Sequence, residues 1–253
     1  MGVFAGIEPT WASQTNTGRT HIATKGVVQS GLVLNLDAGV SSSYPGSGTT
    51  WTDLSTNGNT GTTAGSPTYN SANGGSLSFD GTDEYVSVSS TTALNWGIGN
   101  WTFDVWFFLS SSYSNNDLYV AIFDSPQFFV GILRSGLTGV PGFYTIDTGA
   151  GFISSSYSTY IFGAYTYSCA GKWTNLTLSK NESTSYCYLN GSLYASKTTG
   201  AYSNQSNSGR YGINSSNNYP LNGNIASTKI YNRALSAAEI SQNYNALRGR
   251  FGI

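Results

Sequence analysis

Over nine residues, Trp101-Thr-Phe-Asp-Val-Trp-Phe-Phe-Leu109, apolar side chains fill every odd position, with Thr102 and Asp104 between the first three. Residues two apart in an extended chain share a face, whereas a helix would scatter Trp101, Phe103, Val105, Phe107 and Leu109 around its axis. The segment therefore reads as a half-buried β-strand. Leu32, Leu34 and Leu36, alternating with Val33, Asn35 and Asp37, repeat the pattern. Further strand-like runs lie at 118–123, 128–133, 158–168, 173–180, 185–190, 210–213 and 226–231, punctuated by Gly, Asn, Ser and Pro clusters that make tight turns. Roughly a dozen short strands with no helical period between them predict an all-β sandwich or barrel.

The two ends depart from this pattern. Residues 1–30 hold isolated apolar side chains (Phe4, Ile7, Trp11, Ile22) among Thr and Gly and keep neither period. They read as an extended N-terminal arm, which stays ordered only if it packs on its own domain or on neighbouring subunits. Phe4, Ile7 and Trp11 are its candidate anchors. At the other end Ser236-Ala-Ala-Glu239 is a capping box with Leu235 and Ile240 as its hydrophobic staple, which predicts a helix over about 237–247. Arg248 and Arg250 suit its negative end, and Gly249 is the expected terminator. The chain thus divides into an arm at 1–30 and one domain at 31–253.

A single domain of this length buries roughly 70–75% of its unfolded surface and needs no disulfide or metal for stability. Only 9% of residues are charged, against about 25% in ordinary soluble proteins. The eleven basic and twelve acidic residues are scattered singly. No basic stripe exists to release counterions from a phosphate backbone, so nucleic acid is not an expected partner. No apolar run reaches the ~18–20 residues of a membrane span, and the N-terminus lacks the regions of a signal peptide. A hydroxyl- and amide-wetted surface without a secretion signal suits a particle assembled in the cytoplasm and released by lysis. Cys169 and Cys187 fit that compartment as free thiols. A hairpin turning at 181–183 is expected to set Cys187 opposite Leu176, away from Cys169.

Six short motifs, in order, carry a resemblance. They are Leu36-Asp37 closing the first strand; Asp53-Leu-Ser-Thr-Asn-Gly-Asn-Thr-Gly61; Phe79-Asp-Gly-Thr-Asp-Glu-Tyr-Val86; the aromatic strand from Trp101; Trp173 to the Leu189-Asn-Gly191 turn; and Ile225 through Asn232-Arg-Ala-Leu-Ser236 into the helix. Together they resemble the laminin G-like jelly rolls of the concanavalin A-like lectin/glucanase superfamily, over about residues 31–248. The wording of Gly31–Gly39 and Tyr44–Trp51 is similar to versions found in structural proteins of tailed phages. The resemblance implies a two-sheet antiparallel jelly-roll sandwich with one short C-terminal helix.

It also implies which chemistries to look for. Glucanases of the superfamily use two carboxylates about 5–5.5 Å apart, spaced Glu-x-Asp-x-x-Glu on one strand. Here that strand offers Asp104 alone, and the four glutamates of the chain lie elsewhere, at 8, 84, 182 and 239. The one histidine, His21, lies in the arm. No catalytic residues are expected and the chain reads as non-enzymatic. Many relatives bind one calcium ion, a hard cation held by oxygen. Asp37, Asp53, Asn59, Asp80 and Asp83 are the candidate ligands; the alternative is that they cap their own turns. The closing strand departs from the relatives' Gly-x-Ile-Asp-Asp, reading Gly223-Asn-Ile-Ala-Ser227. Glycan binding would draw on aromatic rings among polar loops, for which Tyr113, Tyr157, Tyr160, Tyr202 and Tyr219 are candidates; the alternative is a place in strand edges or protein interfaces.

The leading expectation is a virion structural protein, a capsid decoration or a fibre or tail component. It would be homo-oligomeric, on the virion surface, and bound through its arm to sister subunits or other virion proteins. The second is a carbohydrate-binding module for adsorption to host glycans. A glycan hydrolase comes last.

Overall fold

In the computed structural model the described residues are 26–89, 99–111, 119–125, 128–134, 144–149, 169–198 and 208–253. The odd residues of the central strand β7 (Trp101–Leu109) are all buried in the sandwich core, as their alternation requires. Around it lie β11 (Trp173–Asn181), β12 (Thr184–Leu189), β13 (Ser192–Thr198), β15 (Asn222–Tyr231), β5 (Ser76–Asp80) and β4 (Thr68–Asn70). Among the described residues they pair antiparallel in the order β13-β12-β11-β7-β15-β5-β4, and β1 (Leu32–Asp37) pairs with the second half of β15. We call this sheet A. Sheet B runs β10 (Tyr144–Gly149), β9 (Phe128–Arg134), β8 (Tyr119–Ser125), β14 (Gly209–Tyr211), β6 (Tyr85–Val88), β3 (Gly61–Ala64) and β2 (Thr50–Trp51). The two sheets face each other across Leu34, Leu36, Trp51, Phe79, Val86, Phe103, Phe107, Phe123, Tyr211 and Ile225. This is the expected all-β jelly-roll sandwich.

Strands whose faces alternate were legible. The short polar strands β3 (GTTA) and β4 (TYN) show no apolar–polar alternation in sequence, and sheet position alone makes them strands. The run at 158–168 lies outside the described residues. The β11–β12 hairpin differs from expectation by two residues: Cys187 pairs with Leu178, not Leu176. Its turn is the two-residue Glu182-Ser183, with Glu182 left-handed at φ 52°, which shortens the loop. Both cysteines are free and buried.

Helix α1 spans Ala237–Leu247. Ser236 Oγ accepts from the Glu239 N–H and the Glu239 carboxylate accepts from the Ser236 N–H, forming the capping box. Leu235 and Ile240 meet in one apolar cluster with Tyr231, Tyr188, Leu32 and Val28. Gly249 does not end the helix. The chain runs into a 3-10 turn at Arg248–Phe251, and Gly252 takes the left-handed position. Arg250 is thereby carried off the helix end onto Asp37. The helix and this turn cover the outer face of sheet A, with Phe251 stacked on Trp106 at 4.3 Å and Trp173 at 4.6 Å from it.

Residues before 31 also contact the sandwich domain. Val28 N–H donates to Asn243 Oδ1 (2.8 Å), Val28 O accepts from Tyr231 Oη (3.1 Å), and Gly26 O accepts from Gln242 (2.7 Å). Gly26 and Val28 are therefore held by α1, and Ser30 O accepts from Arg233. Phe4, Ile7 and Trp11 lie outside the described residues.

Candidate functional site

The five oxygen-bearing candidates for calcium do not gather. Asp37 is held by Arg250, whose Nη1 lies 2.7 and 2.9 Å from its two carboxylate oxygens. Asp53 spends both oxygens on its own loop and on β1. Oδ1 accepts from the Asn35 and Ser55 N–H groups, and Oδ2 from Ser55 Oγ (2.6 Å) and the Asn59 N–H (2.8 Å). Asn59 in turn donates its side-chain amide to Val33 O. The cassette thus stitches its turn to β1, the turn-capping alternative. Asp80 and Asp83 flank the opposite turn, where the Glu84 carboxylate accepts from the Asp80 N–H (3.1 Å). Burial, then the neighbouring Asp80, pushes the Glu84 carboxyl up; hydrogen bonds from Glu84 and Thr82 hold Asp80 down. Among the described residues no three His, Cys, Asp or Glu side chains meet as a metal would require. Asp37, Asp53 and Asn59 do not fit a calcium site, because their side-chain groups are committed to a guanidinium and to hydrogen bonds.

Asp104, on the strand that carries the glucanase carboxylates, faces away from the sandwich core and under the C-terminal segment. It is 1% exposed. Its Oδ2 accepts from Asn175 Nδ2 (3.0 Å) and Thr177 Oγ (2.6 Å), and its Oδ1 lies 3.8 Å from Lys229 Nζ. Lys229 reaches this face through a bulge. Ile225 pairs with Phe107 but Ser227 with Trp106, so one extra residue shifts the alternation and turns Lys229 out of the core onto Asp104. Gly223, at the start of the same strand, sits where a Cβ would strike the Phe108 carbonyl. Asp104 is therefore a structural carboxylate sealed from any polymer substrate.

Sheet B presents a different outer face. While Val86, Val88 and Tyr211 point inward, Thr62, Tyr85, Ser87 and Arg210 point outward and stay partly or fully exposed. Among the described residues no helix covers them. Arg210 lies over the Tyr85 ring, 4.4 Å from its centroid, and donates to Asn217 Oδ1 (2.9 Å). Across the sheet it pairs in register with Asp124, whose Oδ2 accepts from the Ser215 N–H at 2.6 Å. Burial pushes the Asp124 carboxyl above its ordinary value, while Ser215 and Arg210 pull it back. The adjoining loop is held by Asn214, whose Oδ1 accepts from the Ser216 and Asn218 N–H groups. Tyr219 is half-buried and left-handed at φ 60°, and its carbonyl accepts from the Ala121 N–H. A ring beside a guanidinium, a carboxylate and a fixed polar loop is suited to the hydroxyls and apolar faces of a sugar. Sequence reasoning named Tyr219, beside this loop, and did not name Tyr85, Arg210 or Asp124. Their common outward parity on adjacent strands was the usable signal, but it needed the strand order. Tyr113, Tyr157, Tyr160 and Tyr202 lie outside the described residues.

No curated protein matches the chain, but solved structures do. Domain 4 of AbnA, a GH43 extracellular arabinanase from Geobacillus stearothermophilus solved with arabinotriose, matches at 17% identity. Its TM-score is 0.59 over 86% of this chain and 100% of that one. The binding domain of botulinum neurotoxin DC, solved with SialylT, matches at 16% identity and TM-score 0.61, over 86% of this chain and 52% of that one. That of Paraclostridial mosquitocidal protein 1 matches at 14% identity and TM-score 0.58, over 85% and 52%. The chain thus spans about half the length of these toxin domains. At such identities the likeness establishes the fold. In sequence, residues 80–241 match the third laminin G model, which with the two-sheet architecture places this chain in the concanavalin A-like lectin/glucanases superfamily.

Proposed function

We propose that this chain is a non-catalytic, lectin-like binding module that takes oligosaccharides on the outer face of sheet B. The observation that carries this is the contrast between the two faces. Sheet A is sealed by the C-terminal segment over Asp104, whereas sheet B leaves Tyr85, Arg210 and the Asp124-anchored loop open. The arabinanase and neurotoxin domains of the same fold, solved with arabinotriose and SialylT, support a sugar as the ligand class. A glycan array probed with the intact chain tests it. Arg210→Ala should weaken binding about ten- to a hundredfold, the worth of a charge-assisted hydrogen bond, and Tyr85→Ala should weaken it as well, with both variants still folded. Binding that survives both substitutions would move the site elsewhere.

The sparse charge and the polar N-terminal segment support display of this module on an assembled particle, a virion decoration, fibre or tail component. Removing residues 1–25, which spares the packed segment from Gly26, should leave a folded domain that no longer incorporates. Normal incorporation of the truncated chain would refute that placement.

A further inference from the structure

We propose that Lys229 and Asp104 condense into an intramolecular amide, a side-chain cross-link between the closing strand β15 and the central strand β7. The two residues are directly opposed in the antiparallel register, each is 1% exposed, and Nζ lies 3.8 Å from Oδ1. Among the described residues Nζ is otherwise engaged by Ser227 Oγ alone (2.7 Å), and Oδ1 accepts no hydrogen bond. The carboxyl oxygen turned toward the amine is thus its unengaged one. Burial also pushes the Lys229 ammonium below its ordinary range, with Asp104 and Asp37 pulling it back up. Two charges held out of water are costly, and amide formation removes both.

The other oxygen is prepared for the reaction. Oδ2 already receives Asn175 Nδ2 and Thr177 Oγ, two donors aimed where negative charge develops on a tetrahedral intermediate. Lys229 passes one ammonium proton to Asp104 Oδ1. The freed lone pair forms the Nζ–Cγ bond as the Cγ–Oδ2 π pair moves onto Oδ2. A second proton then moves from nitrogen to Oδ1. The Oδ2 pair returns, the Cγ–Oδ1 bond breaks and one water leaves, so no outside reagent is needed. Trp106 and Tyr231, both fully buried on the same face, wall the pair off and disfavour hydrolysis. The bulge at Ala226 has a chemical consequence here, because without it Lys229 would point into the apolar core.

Mass spectrometry of the intact, denatured chain decides the matter. The expected mass lies about 18 Da, one water, below the sequence. Digestion should yield a branched peptide joining the segments that contain Asp104 and Lys229. Lys229→Met and Asp104→Leu should each restore the full mass. The full sequence mass in aged, folded protein overturns the proposal, as does a one-water loss without the branched peptide. A loss of about 17 Da, ammonia, with a branch to Asn35 or Asn175 also overturns it by making a carboxamide the electrophile. The unsubstituted chain alone gives the answer, so a variant that fails to fold does not obscure it.

Discussion

Arg250→Ala should unfasten three parts of the molecule at once. The guanidinium holds both oxygens of Asp37 and donates to the carbonyls of Gly74 and Gly75, at 3.3 and 3.0 Å. It therefore ties the end of β1 and the 72–74 turn to the C-terminal segment. Arg250 is 20% exposed and the Asp37 side chain 8%. Removing one partner of a buried pair costs about 3–5 kcal/mol. Water reaching Asp37 through the vacated space lowers this, and Asp37 keeps the Gly39 N–H at 2.9 Å. We expect a loss of about 2–4 kcal/mol, or roughly 5–15 °C in thermal midpoint for a domain of this size. Asp37→Ala should cost a similar amount, and the double variant less than the sum by about 1–3 kcal/mol, because the pair acts as one unit. Urea unfolding followed by tryptophan fluorescence measures all three, with Trp106 against Phe251 reporting the C-terminal segment directly. An Arg250→Ala loss below about 0.5 kcal/mol with an additive cycle would mean a solvated surface pair. It would also refute the argument that Asp37 is committed to the fold rather than available to a cation.

Two further outcomes test separate parts of the structure. The Glu239 carboxyl is held down at about 2, against 4.5 ordinarily, first by Arg233 and then by the Ser236 N–H. Its folded value is the depressed one, so its contribution is complete above about pH 4.5 and disappears as pH falls toward 2. Glu239→Gln should cost about 1 kcal/mol at neutral pH and flatten the decline in urea midpoint across that window; an unchanged decline would show that other carboxyls set it. Burial pushes the Cys169 and Cys187 thiols up to about 12. Neither should react with a disulfide reagent in the native state, and both should on unfolding; rapid native modification would contradict their burial.

The strands that alternate and the helix that carries its own caps were readable in the sequence because those signals are local. What holds Asp37 was not legible, for a non-local reason. Its partner Arg250 is far away in the chain and was assigned to a helix end, and only the 3-10 turn brings the two together. Asp53 and Asn59 were read with their turn-capping alternative, and that alternative is what their hydrogen bonds show. The Asp104–Lys229 pair was hidden because a bulge inverts the parity of β15 halfway along, so simple alternation places Lys229 on the wrong face. Sheet B's open face depends on the neighbours of β14, a three-residue strand too short to announce its partners.

The position of β15 bears on how the chain is made. It is the last strand in sequence, yet it lies between β7 and β5 and also pairs with β1. Until residue 231 has left the ribosome, three earlier strands present unpaired edges, and the apolar backs of Trp106 and Trp173 lack Phe251. Sheet A can therefore close only after residue 231 has been made. That interval, long in contact order, is when the chain is most exposed to edge-to-edge association with its own copies. A premature stop anywhere before β15 would leave a sheet missing an interior strand rather than a slightly shorter protein.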